Sequence, residues 1–210
     1  MFNDKPQAVQ TETDETLTKK YSYQDYDPRS PSLFEKERDR LNSLLERGGV
    51  KDIIIEHFGS SAVPGLGGKS VIDTYIAVPR DKMQTASDLL KTSGYVYDEA
   101  GSSKEQERLF HTAVLPDGEG GTKTYHTHIT FHENGEPGEN FRLSMAFRDY
   151  LRNHPEEAEI YAKAKKDAAT AAAKLYDEGK PDEARRKYME IKTPVIARLL
   201  DIISKDFDNS

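Results

Sequence analysis

Hydrophobic and polar positions divide the chain into a mixed first part and a helical last third. Apolar residues at helical spacing predict one helix from Ser32 to Arg47, ended by Gly48-Gly49, and a second from Lys82 to Ser93. Short runs rich in β-branched and aromatic residues predict strands at Ile53 to Ile55, Val71 to Val78, Tyr95 to Tyr97, Arg108 to Val114 and Thr124 to Phe131. Pro116 to Gly121 is typical of a hairpin loop between the last two strands.

The last third of the chain has a different period. From Asn140 onward the apolar spacing is helical, with breaks predicted at 153–155 and 179–181, where proline or glycine occurs. The fold class predicted is therefore α/β (α+β), with a small mixed sheet flanked by helices and a helical C-terminal third. Residues 1–20 are polar and are expected to form a disordered tail, and residues 21–205 a single domain.

A glycine-rich loop carries the first candidate chemistry. It joins two apolar strands and begins with Gly59-Ser60, whose small side chains let the backbone approach a ligand closely. Asp73 then arrives inside the strand that follows, where a carboxylate would be held rigidly at the mouth of the loop. This arrangement predicts a site that faces phosphate.

The strand Tyr125 to His132 carries the second candidate. Alternation places His126, His128, Thr130 and His132 on one face, opposite the apolar positions. Imidazoles two residues apart on a strand can converge on one metal or phosphate. The alternative is the solvent-facing polar side of a half-buried strand, which is as good an interpretation for His132 and a weaker one for His128.

Composition limits the classes of function. The net charge of -7 argues against a general nucleic-acid coat, and a chain with 32% charged residues, a mean hydropathy of -0.80 and no long apolar run predicts a protein that does not enter a membrane. The absence of cysteine excludes disulfides and thiolate metal sites. Because residues 1–20 resemble neither a secretory leader nor an anchor, we expect a cytoplasmic protein.

Basic residues are frequent in the last third, interleaved with acids. They are Arg142, Arg148, Arg152, Lys163, Lys165, Lys166, Lys174, Arg185, Arg186, Lys187, Lys192 and Arg198. A stripe of this kind can contact a polyanion, but solvated helix faces with partners one turn away are the favoured interpretation.

Four sequence blocks together resemble the GrpB family, a nucleotidyltransferase-like group. The stretch His57 to Asp73 is similar to the family signature His-x-Gly-Ser-Thr-x-Val-Pro-Gly-Leu-x-x-Lys-x-Ile-Asp. The other blocks are Tyr26 to Arg29 with Phe34 to Glu37, Phe147 to Arg152 with His154-Pro155 and Tyr161, and the pair Tyr188 and Lys192. The resemblance runs from about Tyr21 to Ile203.

The resemblance implies a set of site residues. In this superfamily the Gly-Ser backbone holds a triphosphate and strand carboxylates hold divalent metal. Carried onto this chain, it implies substrate binding by Gly59, Ser60, Ser61, Lys69, Arg108, Arg148, Arg152 and Lys192. It implies catalytic roles for Asp73, Tyr75 and His128, with Asp73 and His128 as candidate ligands of a metal such as Mg²⁺. Gly59, Ser60, Lys69, Asp73, His128 and Arg148 are therefore expected to converge.

One departure from the superfamily pattern changes the chemistry expected. Nucleotidyltransferases carry Asp-x-Asp on the first catalytic strand, whereas this chain has Asp73-Thr74-Tyr75. A phenol with a pKa near 10 does not replace a metal-bound carboxylate at neutral pH. This argues against the ordinary two-metal route, and leaves Asp73 to hold one Mg²⁺, to act as an acid or base, or to bind a cationic substrate.

Three functions remain open. The first is a nucleotidyltransferase-like enzyme that binds a nucleotide or phosphorylated small molecule over Gly59-Ser60 and transfers a group to a small acceptor. The second follows from fungal members of the family and is a tRNA-dependent, arginine-containing cyclodipeptide synthase, which would bind aminoacyl-tRNA through the basic C-terminal helices. The third is a non-catalytic nucleotide-binding module.

Overall fold

A computed structural model describes residues 21–208, with side chains to residue 205. The predicted tail, residues 1–20, lies outside the described residues. The helices are α1 (Ser30–Arg47), α2 (Met83–Lys91), α3 (Glu139–Asn153), α4 (Pro155–Asp177) and α5 (Pro181–Asp208). The strands are β1 (Ile54–Phe58), β2 (Val71–Pro79), β3 (Val96–Tyr97), β4 (Leu109–Pro116), β5 (Thr122–Glu133) and β6 (Glu136–Pro137), and short 3₁₀ turns lie at Ser60–Ala62 and Arg80–Lys82.

The strands form one mixed sheet in the order β1-β2-β5-β4-β3, with β6 paired to β5. The central pair, β2 and β5, is parallel, and the other pairs are antiparallel. A parallel neighbour requires a crossover, which here is made by α2 and the β3–β4 hairpin. The predicted mixed α/β fold class with a helical C-terminal third is confirmed.

One face of the sheet packs against α1 and α2, and the hydrophobic core of the sheet unit lies between them. The strands contribute Ile72, Ile76 and Ile129, and α1 contributes Leu41 and Leu45, all fully buried. Burying one such side chain stabilises the fold by roughly 1.5–3 kcal/mol. The alternating strand residues on the other face include Asp73 and Tyr75 of β2 and His126 and His128 of β5.

The described chain divides into two compact units. The sheet unit comprises residues 29–62 and 71–144, and the helical unit comprises residues 21–28, 63–70 and 145–208. In the helical unit, α4 and α5 pack through clusters that include Leu151, Tyr161 and Leu199, and Ala172 and Ala184. The prediction of a single domain over 21–205 stays a prediction.

The predicted elements agree with the structure in type and differ at their ends. Helix α1 begins at Ser30, ahead of the predicted Ser32, because Pro31 suits the first turn of a helix. Strand β5 extends to Thr122–Glu133, and the two-residue β6 was not predicted. Both predicted helix breaks are confirmed, since α3 ends at Asn153 and α4 ends at Asp177.

Candidate active site and the family of the chain

Cross-strand register brings the candidate residues onto one face of the sheet, which we call the Asp73 face. Asp73 pairs with Phe58 on β1 and with His126 on β5. Tyr75 pairs with His128 in the next layer of the same face. Directly paired residues share a face, so this is the side of the sheet opposite α1 and α2.

The Asp73 carboxylate packs against the start of the glycine-rich loop. Gly59 has a φ of +71°, and a β-carbon built there would lie 2.4 Å from an Asp73 oxygen. Glycine is therefore required at this position for two reasons: the backbone is left-handed, and the carboxylate approaches too closely for a β-carbon. The sheet unit thus brings Gly59 and Asp73 into contact, as the loop-strand pattern predicted.

His126 is the imidazole that faces Asp73. Its Nδ1 lies 3.5 Å from Asp73 Oδ1, and the two side chains are 31% and 22% exposed. Both groups are accessible to a substrate while remaining close enough to orient one another. The sequence placed His126 on this face but did not select it as a site residue.

His128, the predicted catalytic histidine, is enclosed by aromatic rings. The ring centroids of Phe58, Tyr75 and Phe110 lie 5.1, 5.2 and 4.7 Å from its own. Burial lowers the pKa of His128 to about 3, although Asp73 acts in the opposite direction. His128 is therefore neutral at physiological pH, and its buried Nδ1 has no hydrogen-bond partner among the described residues.

Tyr75 lies two residues after Asp73, at the position of the second acid in the Asp-x-Asp pattern that the sequence resemblance led us to expect. It is 3% exposed and packs against Phe141 with ring centroids 5.2 Å apart. Burial raises the pKa of the Tyr75 phenol, which Arg108 and Ser144 lower in part through charge and hydrogen bonding. The phenol therefore stays protonated at neutral pH and does not act as a metal-bound anion.

Arg108, predicted to bind substrate, interacts with the Asp73 face through Tyr75, whose pKa its charge and hydrogen bond lower. Its charge also lowers the pKa of His128, and one of its guanidinium nitrogens donates to the Gly101 carbonyl at 3.0 Å. Its buried Nε has no partner among the described residues. Arg108 thus supplies a fixed positive charge beside Tyr75 and His128.

The serines of the loop have different surroundings. Ser61 is buried, and its hydroxyl lies 3.0 Å from Nε2 of His57, which stacks on Phe34 with ring centroids 4.5 Å apart. Ser61 and His57 therefore support the loop from the core side of the sheet. Ser60 is half-buried, and substrate contacts by either serine stay predictions.

His132 corrects one interpretation, because it is not solvent-facing. It is 6% exposed, and its ring nitrogens bond to the Asp52 carbonyl and the Gly135 amide. These bonds fix the end of β5 and its turn. The polar side of this strand is thus partly structural.

Few of the described side chains that could bind a metal lie near Asp73. Among residues 21–205, no group of three or more His, Asp or Glu side chains is arranged to hold a metal ion. Glu56 shares the Asp73 face by its pairing with Tyr75, but does not complete such a group. A Mg²⁺ ion that keeps most of its ligands from water and substrate phosphates needs only one or two protein carboxylates. A single carboxylate at Asp73 is compatible with a Mg²⁺ ion that arrives with a substrate, and metal binding stays a prediction.

The other predicted binding residues belong to the helical unit. Lys69 lies with its Nζ 5.2 Å from the ring centroid of Tyr188 and 5.7 Å from that of Tyr21. Lys192 lies 5.3 Å from the same Tyr188 centroid. The helical unit therefore gathers Lys69 and Lys192 around one aromatic ring.

Arg148 and Arg152 share a partner on α3. Arg148 donates to both carboxylate oxygens of Asp149, at 2.8 and 3.0 Å, and Arg152 donates to the same carboxylate at 3.2 Å. Arg152 also lines a cavity of about 490 Å³ in the helical unit, together with Leu151 and Glu159. The expected convergence of Lys69 and Arg148 with Asp73 and His128 stays a prediction.

The favoured interpretation of the basic stripe is confirmed for several of its members. Lys163 pairs with Asp167 one turn along α4, and Lys187 pairs with Glu190 on α5. Lys165 is different, because it is 7% exposed and donates to the Gly67 carbonyl at 2.6 Å. Sequence inspection grouped this buried lysine with the solvated ones and offered no signal that separates them.

Comparison with protein families identifies the relatives of this chain. A family model described as GrpB protein matches residues 21–201. The chain belongs to the GrpB family. Membership agrees with the resemblance of the loop signature and of the three other sequence blocks.

Individual GrpB relatives are similar at moderate identity. UPF0157 protein PA4798 of Pseudomonas aeruginosa is 32% identical over 177 residues, 83% of this chain and 64% of that protein. UPF0157 protein YqkA of Bacillus subtilis is 30% identical over 145 residues, 69% of this chain and 38% of that protein. The crystal structure of GrpB from Enterococcus faecalis matches with a TM-score of 0.67 and 27% identity, over 89% of this chain and 99% of that one. The chain thus spans less than two thirds of the length of PA4798 and of YqkA.

No helix within residues 21–208 combines the length and the apolar character that crossing a bilayer requires.

Proposed function

We propose that the Asp73 face is the catalytic site of a transferase, which binds a nucleotide or another phosphorylated small molecule beside Gly59-Ser60 and transfers a group to a small acceptor. The observation that supports this most is the packing of the Asp73 carboxylate against Gly59, with His126 3.5 Å away. A ligand held by the loop is then next to an accessible carboxylate and an imidazole.

In nucleotidyl transfer each group on this face has a definite task. A hydroxyl of the acceptor forms a bond to the α-phosphorus, the bond from that phosphorus to the bridging oxygen breaks, and diphosphate leaves with the electron pair. The proton of the acceptor passes to the Asp73 carboxylate, which His126 orients. Arg108 contributes positive charge, and the aromatic rings around His128 exclude water.

A divalent ion has one place in this scheme. As an alternative to its role as base, Asp73 would hold a Mg²⁺ ion that arrives with the substrate phosphates, and the ion would neutralise charge on the phosphoryl oxygens. Because Tyr75 is buried and protonated, a second ion bridged by an Asp-x-Asp pair is not part of the proposal.

A screen of substrates tests the proposal. The full-length chain is incubated with Mg²⁺, a panel of nucleoside triphosphates and a mixture of small-molecule acceptors, and the products are analysed by mass spectrometry. We expect release of diphosphate with a nucleotide-labelled acceptor, absent in Asp73→Asn. Nucleotide binding without any product would favour the binding-module alternative. If the chain neither binds a nucleotide nor forms a product, the proposal is rejected.

A second candidate is the tRNA-dependent cyclodipeptide synthase. It is favoured by the combination of one accessible carboxylate with aromatic rings, since Asp73 and the nearby Phe110 match a guanidinium group, which pairs with carboxylates and stacks on aromatic faces. This chemistry needs no second metal-binding acid. Against it stand the ion pairs that neutralise basic residues such as Lys163 and Lys187.

Filter binding separates the two candidates. Charged and uncharged tRNA are tested at two salt concentrations, with the parent chain and with a variant in which Lys163, Lys166, Arg185, Arg186 and Lys187 are reversed in charge. The synthase requires tRNA binding whose log-log salt slope falls by about 0.7–0.9 for each lost phosphate contact. It also requires RNase-sensitive formation of a diketopiperazine. Absence of binding by the parent chain at low salt eliminates this candidate.

A further inference from the structure

Exposed apolar side chains of the sheet unit gather at one end of its sheet. Among the described residues of this unit, the large hydrophobic side chains that remain exposed are Val96, Tyr97 and Val114, and all three lie on β3 or β4. Val96 is 67% exposed and Val114 is 37% exposed. Apolar surface that is concentrated in one place is typical of a surface that binds another molecule.

Cross-strand pairing connects this end of the sheet to Asp73. His126 pairs with Asp73 on one side and with Thr112 of β4 on the other. Thr112 in turn pairs with Val96 of β3. Because directly paired residues share a face, Asp73, His126, Thr112 and Val96 form one row across four strands of the Asp73 face.

A second pair widens this row. Val114 lies two positions along β4 from Thr112 and pairs with Thr124 of β5. Positions two apart on a strand project to the same face of the sheet. Val96, Thr112, Val114 and Thr124 therefore form one patch, which we call the valine platform. Its side chains are aliphatic or carry a neutral hydroxyl.

We propose that the valine platform binds the apolar body of an uncharged acceptor, an alcohol whose hydroxyl then lies at Asp73 and His126. The platform would serve the acceptor of the transferase, so this inference rests on the proposed function. It is carried by the strand register, which makes an exposed apolar patch continuous with the accessible carboxylate and imidazole.

The order of the strands places the two substrates on opposite sides of Asp73. Gly59 directly follows β1, which lies on one side of β2, whereas the platform extends over β5, β4 and β3 on the other side. Neighbouring strands are about 4.8 Å apart, so Val96 lies roughly 10 Å from His126. In-line displacement at phosphorus requires the attacking oxygen opposite the leaving oxygen. A phosphate donor at the loop and an acceptor on the platform meet this requirement.

The chemistry of the platform selects an uncharged acceptor. A charged group placed on Val96 and Val114 would lose its water without gaining a partner. An apolar body instead gains about fourfold in affinity for each methylene that it buries. The hydroxyls of Thr112 and Thr124 can donate or accept a hydrogen bond with a neutral polar group on that body.

A titration with matched alcohols tests the platform without requiring catalysis. The full-length chain is labelled at its valine methyl groups and titrated with n-hexanol, ω-hydroxyhexanoate, ω-aminohexanol and n-propanol, and NMR follows the methyl signals. We expect saturable shifts at Val96 and Val114. n-Hexanol should bind at least tenfold more tightly than either charged analogue of the same length and than n-propanol.

Variants verify where the alcohol binds. Val96→Thr and Val114→Thr keep the size and the β-branch of each side chain and replace one methyl by a hydroxyl. The double variant should weaken n-hexanol binding at least fivefold, as measured at the methyls of Val71, which pairs with Thr124. The control Tyr97→Thr removes an exposed apolar side chain from the opposite face of β3 and should change binding less than twofold. Thermal unfolding verifies that each variant is folded.

The outcomes distinguish this inference from the proposed function. In the transferase assay, the double variant should raise KM for an apolar alcohol about fivefold, with kcat and the KM for nucleotide unchanged. Saturable n-hexanol binding without transfer to any acceptor supports the platform and rejects the transferase. No saturable shift at Val96 and Val114, equal binding of the charged analogues, or an equal loss in Tyr97→Thr overturns the inference. Shifts caused by adenosine and not by n-hexanol also overturn it, because they assign the platform to a nucleobase.

Discussion

The Asp73 face of the sheet unit and the surface of the helical unit satisfy their polar and charged groups in different ways. On helices α4 and α5, charged residues pair with neighbours along the surface, as Lys163 does with Asp167 and Lys205 with Asp201. On the Asp73 face, Asp73 and His126 are partly exposed, whereas the buried His128 Nδ1 and Arg108 Nε have no partner among the described residues. Side chains one turn apart on a helix can pair with each other, whereas buried polar groups on a sheet face need partners from other elements, from water or from a ligand.

This difference indicates where chemistry is to be sought in each unit. In the sheet unit, the informative groups are the partly exposed pair Asp73 and His126 and the buried His128, whose Nδ1 has no partner among the described residues. In the helical unit, most charge is ordinary surface, and the exceptions are the lysines drawn to aromatic rings or into the interior. Lys69, Lys192 and Lys165 are such exceptions.

The largest effect is expected at Asp73. Asp73→Asn keeps the size of the side chain and removes its charge, so turnover should fall at least 100-fold, about 2.7 kcal/mol in the activation barrier, with thermal unfolding unchanged. The matched control is Asp81→Asn, at an exposed acid of the same unit that pairs with Lys82. Turnover by Asp73→Asn near that of the control would remove Asp73 from the centre of the site.

Acid should destabilise the sheet unit through His111, which is fully buried and bonded to Ser87 at 2.9 Å. Burial lowers the pKa of His111 to about 4, and Lys91 lowers it further. Below about pH 6.5 the unfolded chain takes up a proton that the folded chain does not, so the free energy of unfolding should decrease, by about 3 kcal/mol at pH 4. Above pH 6.5 this group contributes no slope.

Urea denaturation from pH 7.5 to pH 4.5 measures this slope. His111→Gln should remove its share of it, whereas His154→Gln, at a half-buried histidine of the helical unit, is the control. An unchanged slope in His111→Gln would show that acid acts elsewhere.

Gly59 tests how closely the loop and Asp73 depend on each other. Gly59→Ala adds backbone strain of about 1 kcal/mol and also forces the Asp73 side chain to move, so we expect about a tenfold loss of turnover. Gly49→Ala is the matched control, since Gly49 also has a positive φ, of +81°, but a β-carbon there meets nothing within 4 Å. Equal turnover in the two variants would show that contact with Asp73 is not what Gly59 provides.

The smallest effects separate two lysines of α4. Lys165→Met leaves the Gly67 carbonyl without its donor and should lower the free energy of unfolding by about 1–3 kcal/mol. Lys163→Met removes only an exposed ion pair and should change it by less than about 0.5 kcal/mol. Chemical denaturation of both variants checks the difference, and a larger loss in Lys163→Met would contradict the contrast.

Local pattern was sufficient for the type of the longer elements and for the composition of the Asp73 face. Apolar spacing predicted α1 and α2, and β alternation placed His126 and His128 together, because both depend on periods of two or 3.6 residues. The glycine-rich segment marked the loop beside Asp73 because only glycine tolerates such contacts.

The selection among these residues required non-local pairing. Whether His126 or His128 faces Asp73 depends on the register of the parallel pair β2 and β5, and a shift of two residues would place His128 opposite Asp73 without changing the alternation. The enclosure of His128 likewise depends on Phe58 and Phe110, which come from two other strands.

The sequence by itself determined the family, the fold class and the chemical types present at the loop and on β5, since each is encoded in neighbouring positions. Only the tertiary structure decided that His126 faces Asp73, that Lys165 is buried while Lys163 is solvated, and that Lys69 meets Lys192 at Tyr188. These relations join residues far apart along the chain. Charge, burial and distance at such positions result from packing, and a local sequence pattern does not contain that information.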